Sequence, residues 1–200
     1  MILKNLKRNT EKTFSPMIDP APWSMEEPFN FYINELKPLI IEYGTQTCDG
    51  IHGLNTHTNA VVFRGIDYAL SLRKDPKPVI FACAFHDMAR VNDCEDYEHG
   101  KNAIPMAKKV LDKFPDLFDK QTRFNIYRAV IEHTQKKPSV APDYIAACLW
   151  DADRTRMSWK YGFRPEFFNT PRAKYVAQHY KQYIDFERRC FPHLTWSKEY

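Results

Sequence analysis

Apolar residues along most of this chain recur at the spacing of an α-helix. Between positions 55 and 72 they repeat at helical spacing, at Val61, Val62, Ile66, Ala69, Leu70 and Leu72. Similar patterns predict helices over 24–44, 77–90, 100–113, 118–135, 142–158 and 171–190. No stretch alternates apolar and polar residues for long enough to predict a strand. The sequence therefore predicts an all-α protein.

Residues at the helix ends indicate how the chain is organised. Ser24 with Glu27 has the pattern of a capping box at the start of the first helix, and Pro38 is expected to bend that helix. Two hundred residues suffice for one domain with a full core. We predict an extended N-terminal arm over 1–23, a helical domain over 24–165, and a C-terminal helical extension of that domain over 166–200.

Several ionisable side chains fall on the apolar faces of these helices. They are His57, His86, Asp87, His133 and Asp153. His86, for example, follows Cys83 by three residues and therefore lies within the buried stripe of its helix. A buried imidazole or carboxylate costs free energy unless it has a partner. A divalent cation would satisfy the whole set, whereas separate hydrogen bonds and ion pairs would satisfy its members singly, and the spacing alone leaves both explanations open.

The order of these residues resembles a known signature. His57, the His86–Asp87 pair and Asp153 follow the H…HD…D pattern of the HD superfamily, which comprises all-helical, metal-dependent phosphohydrolases. The segment "FACAFHDMAR" resembles the family's HD helix, and "CLWDADRTRM" is similar to its closing segment. "DYEHGKNAIPMAKKVL" and "AVIEHT" resemble segments that carry further histidines. The resemblance covers about residues 50–165 and implies a single HD-type helical domain.

The resemblance also implies a set of metal ligands. The first ion would be bound by four residues: His57, His86, Asp87 and Asp153. His99 and His133 would bind a second ion with Asp87 as the bridge, or contact the substrate phosphate in a one-metal site. Asp153 is preferred to Asp151 because the family's ligand usually stands directly before a basic residue. One or two divalent ions are expected, and Mn, Fe, Zn, Co, Ni and Mg are not distinguished.

The implied reaction is hydrolysis of a small phosphate ester, such as a nucleotide, by a metal-bound hydroxide. Asp87, as the bridge, and His99 or His133, as a general acid, are the candidate catalytic residues. The candidate substrate-binding residues are Arg90, Lys101, Arg154 and His52, although solvated helix faces and a loop histidine would give the same sequence. The aromatic stretch "GFRPEFFNTP" is expected either to line the mouth of the site or simply to fill a loop.

Three other functions are compatible with the same residues. Some relatives with four histidines and two aspartates hold two irons and activate oxygen, so a di-iron oxygenase is the main alternative. A non-catalytic, metal-stabilised binding module would keep the ligands without turnover. A purely structural helical domain would use the polar residues only in core networks.

Composition limits the partners. The net charge is +4, but the longest basic runs are pairs, so no nucleic-acid polymer is expected as a partner. No window approaches the roughly 20 apolar residues of a membrane span, and the N-terminus lacks the apolar stretch of a secretory signal. The five scattered cysteines form no C-x-x-C pair, which favours a reducing, cytoplasmic location. The amphipathic C-terminal helix is expected either to pack on the domain or to form a homodimer contact.

Overall fold

The computed structural model describes residues 22–46, 52–134, 140–155, 162 and 164–190. All regular secondary structure in these ranges is helical, which confirms the all-α prediction. The α-helices are α1 Pro22–Phe31, α2 Lys37–Tyr43, α3 Asn59–Ser71, α4 Lys77–Phe85, α5 His99–Leu111, α6 Lys120–Glu132, α7 Tyr144–Thr155, α8 Pro171–Gln178 and α9 Tyr180–Cys190. Within these ranges, no helix combines the length and the apolar character that a bilayer crossing needs.

The first helical stretch differs from its prediction. It begins at Pro22, two residues before the predicted cap, and a π-helical segment, Tyr32–Leu36, joins α1 to α2. Pro38 lies in the first turn of α2, where a missing backbone N–H is tolerated. The irregularity therefore falls just before the proline. Nearly all of the predicted N-terminal arm lies outside the described residues.

Two other helices differ from their predictions, one by ending early and one by an interruption. The 77–90 helix stops as α4 at Phe85, and tight turns follow in which Met88 N donates to Phe85 O at 3.1 Å and Arg90 N donates to Asp87 O at 2.9 Å. The 171–190 helix is interrupted at His179, whose Nδ1–H donates to the Tyr175 carbonyl at 2.9 Å. Hydrogen bonds within a turn replace the helical backbone pattern after Phe85, and a hydrogen bond from the side chain accompanies the break at His179.

Helix α4 lies at the centre of the molecule. Its residues from Pro78 to Phe85 are all buried, and it packs against α3, α6 and α7. Gly65 allows the close approach of α3, since a Cβ atom there would lie 2.6 Å from Cys83 Sγ. This packing fixes the C-terminal end of α4, and with it the His86–Asp87 pair, deep in the domain.

The C-terminal helices α8 and α9 pack on the domain through buried ion pairs with α3. Arg64 donates to both carboxylate oxygens of Glu187, at 2.6 and 3.0 Å. Arg172 donates to Asp67 at 3.0 Å, and the same carboxylate accepts the Tyr183 hydroxyl at 2.5 Å. These bonds satisfy charges that would be costly to bury alone. The homodimer remains a prediction.

The Arg64–Glu187 pair gives a stability prediction. In Glu187→Gln the amide nitrogen replaces one acceptor oxygen and leaves one guanidinium N–H opposite a donor. We expect the free energy of unfolding to fall by about 2–3 kcal/mol, measured by urea denaturation. Exposed Glu166→Gln is the control and should keep the wild-type midpoint. An unchanged midpoint for Glu187→Gln would show that the pair adds nothing to stability.

Candidate metal centre

Six side chains from separate parts of the chain meet at one buried place. They are His57 in the one-turn segment before α3, His86 and Asp87 just after α4, His99 at the start of α5, His133 at the end of α6, and Asp153 on α7. The structure thus brings together all six residues that the sequence predicted as ligands. The buried end of α4 is the point at which the other elements converge.

The six residues form two adjoining groups. In each group the potential ligand atoms lie within 4.8 Å of one another: His57, His86 and Asp153 form the first group, and Asp87, His99 and His133 the second. The Asp87 carboxylate faces both groups. Its Oδ2 lies 3.3 Å from His86 Nε2, whereas its Oδ1 lies 3.0 Å from His99 Nε2. Asp87 therefore has the position of a bridging ligand.

Backbone carbonyls fix the orientation of three of the four imidazoles. Nδ1 of His86 donates to Cys83 O at 2.6 Å, and Nδ1 of His133 donates to Val130 O at 2.5 Å. Nδ1 of His99 donates in the same way to the Asp96 carbonyl. With Nδ1 protonated, a neutral imidazole presents the bare lone pair of Nε2. The three rings therefore present metal-binding nitrogens to the cluster.

The contacts inside the cluster fit a cation. The Nε2 atoms of His99 and His133 are 2.8 Å apart, and those of His57 and His86 are 3.3 Å apart. In neutral His99 and His133, whose Nδ1 atoms both donate to carbonyls, the two Nε2 lone pairs repel each other unless a proton or a metal ion lies between them. Asp87 Oδ2 is buried, and none of the described residues gives it a hydrogen bond. Imidazole and carboxylate donors suit Mn, Fe, Co, Ni or Zn, so this donor set fits one or two divalent ions.

The electrostatics of the cluster keep its acids ionised. Burial opposes this, but the neighbouring imidazoles hold the carboxyl pKa values of Asp87 and Asp153 below their usual range. Burial, with nearby His86 and His99, lowers the pKa of His133 to about 3, so this imidazole is neutral. At His86 burial is outweighed by the adjacent Asp87 carboxylate, which raises the pKa to about 9. His86 therefore keeps a proton at neutral pH without metal.

This protonation predicts how metal binding depends on pH. Because a metal ion must displace the His86 proton, affinity should rise with pH through the range 6 to 9, by up to about tenfold per unit, and level off above it. Titration of Mn²⁺ by calorimetry, in buffers of different ionisation enthalpy, measures both the affinity and the protons released. A pH-independent affinity between 6 and 8 would contradict the prediction.

A cavity of about 820 Å³ opens onto the cluster. His52, Arg90 and Arg154 line it, as do Asp87, His99, His133 and Asp153. Lys101 is not among the lining residues, and its ammonium group forms a solvent-exposed ion pair with Glu98 at 3.3 Å. Lys101 follows His99 by two positions, about 200° around α5, so it faces away from the cluster.

The three cavity residues predicted to bind substrate are held in different ways. Arg90 donates to two carbonyls of the loop that follows it, Asn92 O at 3.0 Å and Cys94 O at 2.9 Å. Arg154 lies over the Trp150 ring at 5.5 Å and donates to Phe167 O. His52 Nδ1 lies 3.0 Å from an Asp93 carboxylate oxygen at the mouth of the cavity. Arg90 therefore stabilises the loop and also places a positive charge beside the cluster.

Some cavity residues were not predicted from the sequence. Asp93 and Cys94 lie in a loop, which has no periodic pattern to indicate a face. Arg164 lies in the aromatic stretch for which lining the site was one of two alternatives. The two aspartates of α7 separate clearly: Asp153 lies 3.0 Å from His57 Nε2, whereas Asp151 is fully buried against Asn169 and Thr170. Residues two apart on a helix point about 200° apart, so only one of the pair can face the cluster.

The fold and the site define an all-helical domain with a buried histidine–aspartate cluster that fits divalent metal. No family model matches the chain, and no curated protein matches it either. Among solved structures, the chain is similar to a predicted HD superfamily hydrolase from an uncultured Thermotogales bacterium, with a TM-score of 0.57 and 21% identity. The match covers 80% of this chain and 92% of that one. The chain therefore has the HD-type fold, which confirms the resemblance at the level of the fold.

Proposed function

We propose that this protein is a metal-dependent phosphohydrolase that acts on a small phosphate ester. The observation that supports this best is the Asp87 carboxylate, which faces two histidine groups at the floor of a cavity. The similar solved structure is described as a predicted hydrolase, which agrees with this reaction class. Arg90 and Arg154 add positive charge to the cavity, as binding of a phosphoryl group requires.

The residues of the chain have distinct roles in this proposal. His57, His86 and Asp153 would hold one ion, His99 and His133 a second, and Asp87 both. Bound divalent metal supplies hydroxide near neutral pH and polarises phosphoryl oxygens. With a single ion, His99 or His133 would instead contact the phosphate or give a proton to the leaving oxygen, since both line the cavity. The phosphoryl group would lie beside the cluster, and the rest of the cavity would hold the organic group.

Metal analysis followed by a phosphatase assay tests the proposal. The purified chain should contain one or two equivalents of a divalent metal, and chelation should abolish hydrolysis of at least one ester in a panel of nucleotides and sugar phosphates. Adding back a single divalent ion should restore it. A metal-loaded protein that hydrolyses none of these esters would contradict the assignment.

The di-iron oxygenase is the second candidate, because two histidine groups joined by one carboxylate also provide a site for two irons. It predicts iron as the bound metal and oxygen uptake with a candidate substrate, without release of phosphate by simple hydrolysis. A protein that binds no metal, and whose melting temperature is unchanged by EDTA, would favour a structural domain. Metal binding without either reaction would favour a binding module.

A further inference from the structure

Helix α7 carries two carboxylates with different partners. Asp153 lies against the metal-ligand cluster, whereas Asp151 accepts hydrogen bonds from the segment that leads into α8. The Asp151 oxygens accept Asn169 N at 2.9 and 3.0 Å, Thr170 N at 2.7 Å and Asn169 Nδ2 at 3.1 Å. An ionised acceptor with several N–H donors makes a strong, directional anchor. Asp151 therefore fixes this segment to the same helix that supplies Asp153.

The anchored segment forms one wall of the cavity. Arg164, Phe167 and Phe168 all line the cavity and precede the anchor by only a few residues. Phe168 is buried, whereas Phe167 is half-buried. Arg154 donates to the Phe167 carbonyl, which adds a second attachment to α7. The backbone at Phe167 is therefore held by contacts to the helix that carries Asp153.

Further bonds hold the end of this segment. The Thr170 side chain caps α8 by accepting Ala173 N at 3.1 Å, and Asn169 Oδ1 accepts Ala141 N at 2.9 Å. The wall is thus held at α7, at α8 and at the stretch before α7. A wall built in this way presents a fixed shape to a ligand.

The size of the cavity indicates that it holds more than a phosphoryl group. Its volume of about 820 Å³ lies within the range of about 300–1,000 Å³ that is usual for sites of small organic molecules. The phosphoryl group would occupy only the floor, beside the metal-ligand cluster. Phe167 and Phe168 line part of the remaining space, and their apolar rings favour an apolar or aromatic partner there.

We propose that Phe167, with Phe168 behind it, determines specificity by binding the organic group of the substrate, and that Asp151 is the positioning residue that holds this wall in place. The preferred substrate is then a phosphate ester with an aromatic or other large apolar leaving group, not a small alkyl group. The inference rests on the proposed function, because it takes the phosphoryl group to bind at the cluster.

Two non-hydrolysable probes with the same charged group test the inference: methylphosphonate and phenylphosphonate. Their affinities for the Mn²⁺-loaded full chain are measured by calorimetry, so the result does not depend on turnover. The wild type should bind phenylphosphonate about tenfold more tightly, because only its ring is buried against the wall. In Phe167→Ala this preference should fall to about twofold, with methylphosphonate affinity unchanged.

The variant Asp151→Asn should lose the preference in the same way, because its amide group opposes the N–H donors of Asn169 and Thr170. Metal content, measured on each variant, shows whether the cluster is intact. Glu166→Gln is the control, since Glu166 lies in the same segment but is exposed and does not line the cavity. A merely structural role for the segment would weaken both probes equally and leave their ratio unchanged.

Equal affinity of the wild type for the two probes, or an unchanged ratio in Phe167→Ala, would overturn the inference. Phe167→Ala decides the matter even if Asp151→Asn fails to fold, because Phe167 is only half-buried. If the metal-loaded wild type binds methylphosphonate but shows no preference, the wall assignment fails and the proposed function stands. If it binds neither probe, the phosphoryl site itself is wrong.

Discussion

Replacing Asp87 by alanine is expected to remove bound metal and to lower phosphohydrolase activity by several orders of magnitude. The Asp87 carboxylate reaches both histidine groups, with oxygens 3.3 Å from His86 Nε2 and 3.0 Å from His99 Nε2. Without it, one group keeps a single carboxylate and the other keeps none. Neutral imidazoles alone offset little of the charge of a buried divalent ion.

The measurement for Asp87→Ala combines elemental analysis with an assay on the best ester of the panel. Glu95→Ala is a matched control, because Glu95 lines the same cavity, is exposed and has no ligand atom in either group. The control should retain wild-type metal content. Full activity in a metal-free Asp87→Ala preparation would defeat the proposed mechanism.

Thermal unfolding gives a second measurement for the same variant. A ligand that binds only the folded state stabilises it by about 4 kcal/mol when present at a thousand times its Kd. Mn²⁺ should therefore raise the melting temperature of the wild type and of Glu95→Ala, and chelation should reverse the effect. In Asp87→Ala the added ion should leave the melting temperature unchanged. This comparison tests metal binding even if no substrate has been found.

The sequence predicts the helices better than it predicts their ends. Apolar periodicity locates α3 to α7, because their buried faces must repeat every three to four residues. It places the end of α4 too late, since the residues after Phe85 remain buried although the backbone has left the helix. Because these residues are buried, the apolar sequence pattern continues past the end of the helix. The tight turn at Met88 depends on local hydrogen bonds, which the apolar pattern does not reveal.

For the candidate site, too, the sequence predicts some features and not others. The six predicted ligands come together because each lies on, or directly beside, a buried helix face. Their role as ligands stays a prediction. A cavity wall at Phe167 is only one of the two alternatives that the sequence offers for its stretch, and the sequence indicates no partner for Asp151. Asn169, which Asp151 holds, lies in an irregular segment, and no sequence period relates such a segment to α7.

Gly100→Ala is expected to disturb the second histidine group selectively. A Cβ atom at Gly100 would lie 2.3 Å from the Val130 carbonyl oxygen and 3.1 Å from the His133 ring. That carbonyl accepts the Nδ1–H of His133, and Gly100 directly follows His99. The added methyl must therefore push α5 away from α6 and move both imidazoles. His57, His86 and Asp153 lie on other elements and keep their positions.

We expect Gly100→Ala to lose the ion held by His99 and His133 while retaining the other, so that a two-metal protein becomes a one-metal protein. Overpacking should also lower the free energy of unfolding by about 1–3 kcal/mol. Elemental analysis and urea denaturation measure the two effects, with exposed Asn102→Ala on the same helix as the control. Retention of two ions per chain by Gly100→Ala would show that the spacing of α5 and α6 does not determine the second site. Loss of both ions would show instead that the two groups cannot bind metal independently.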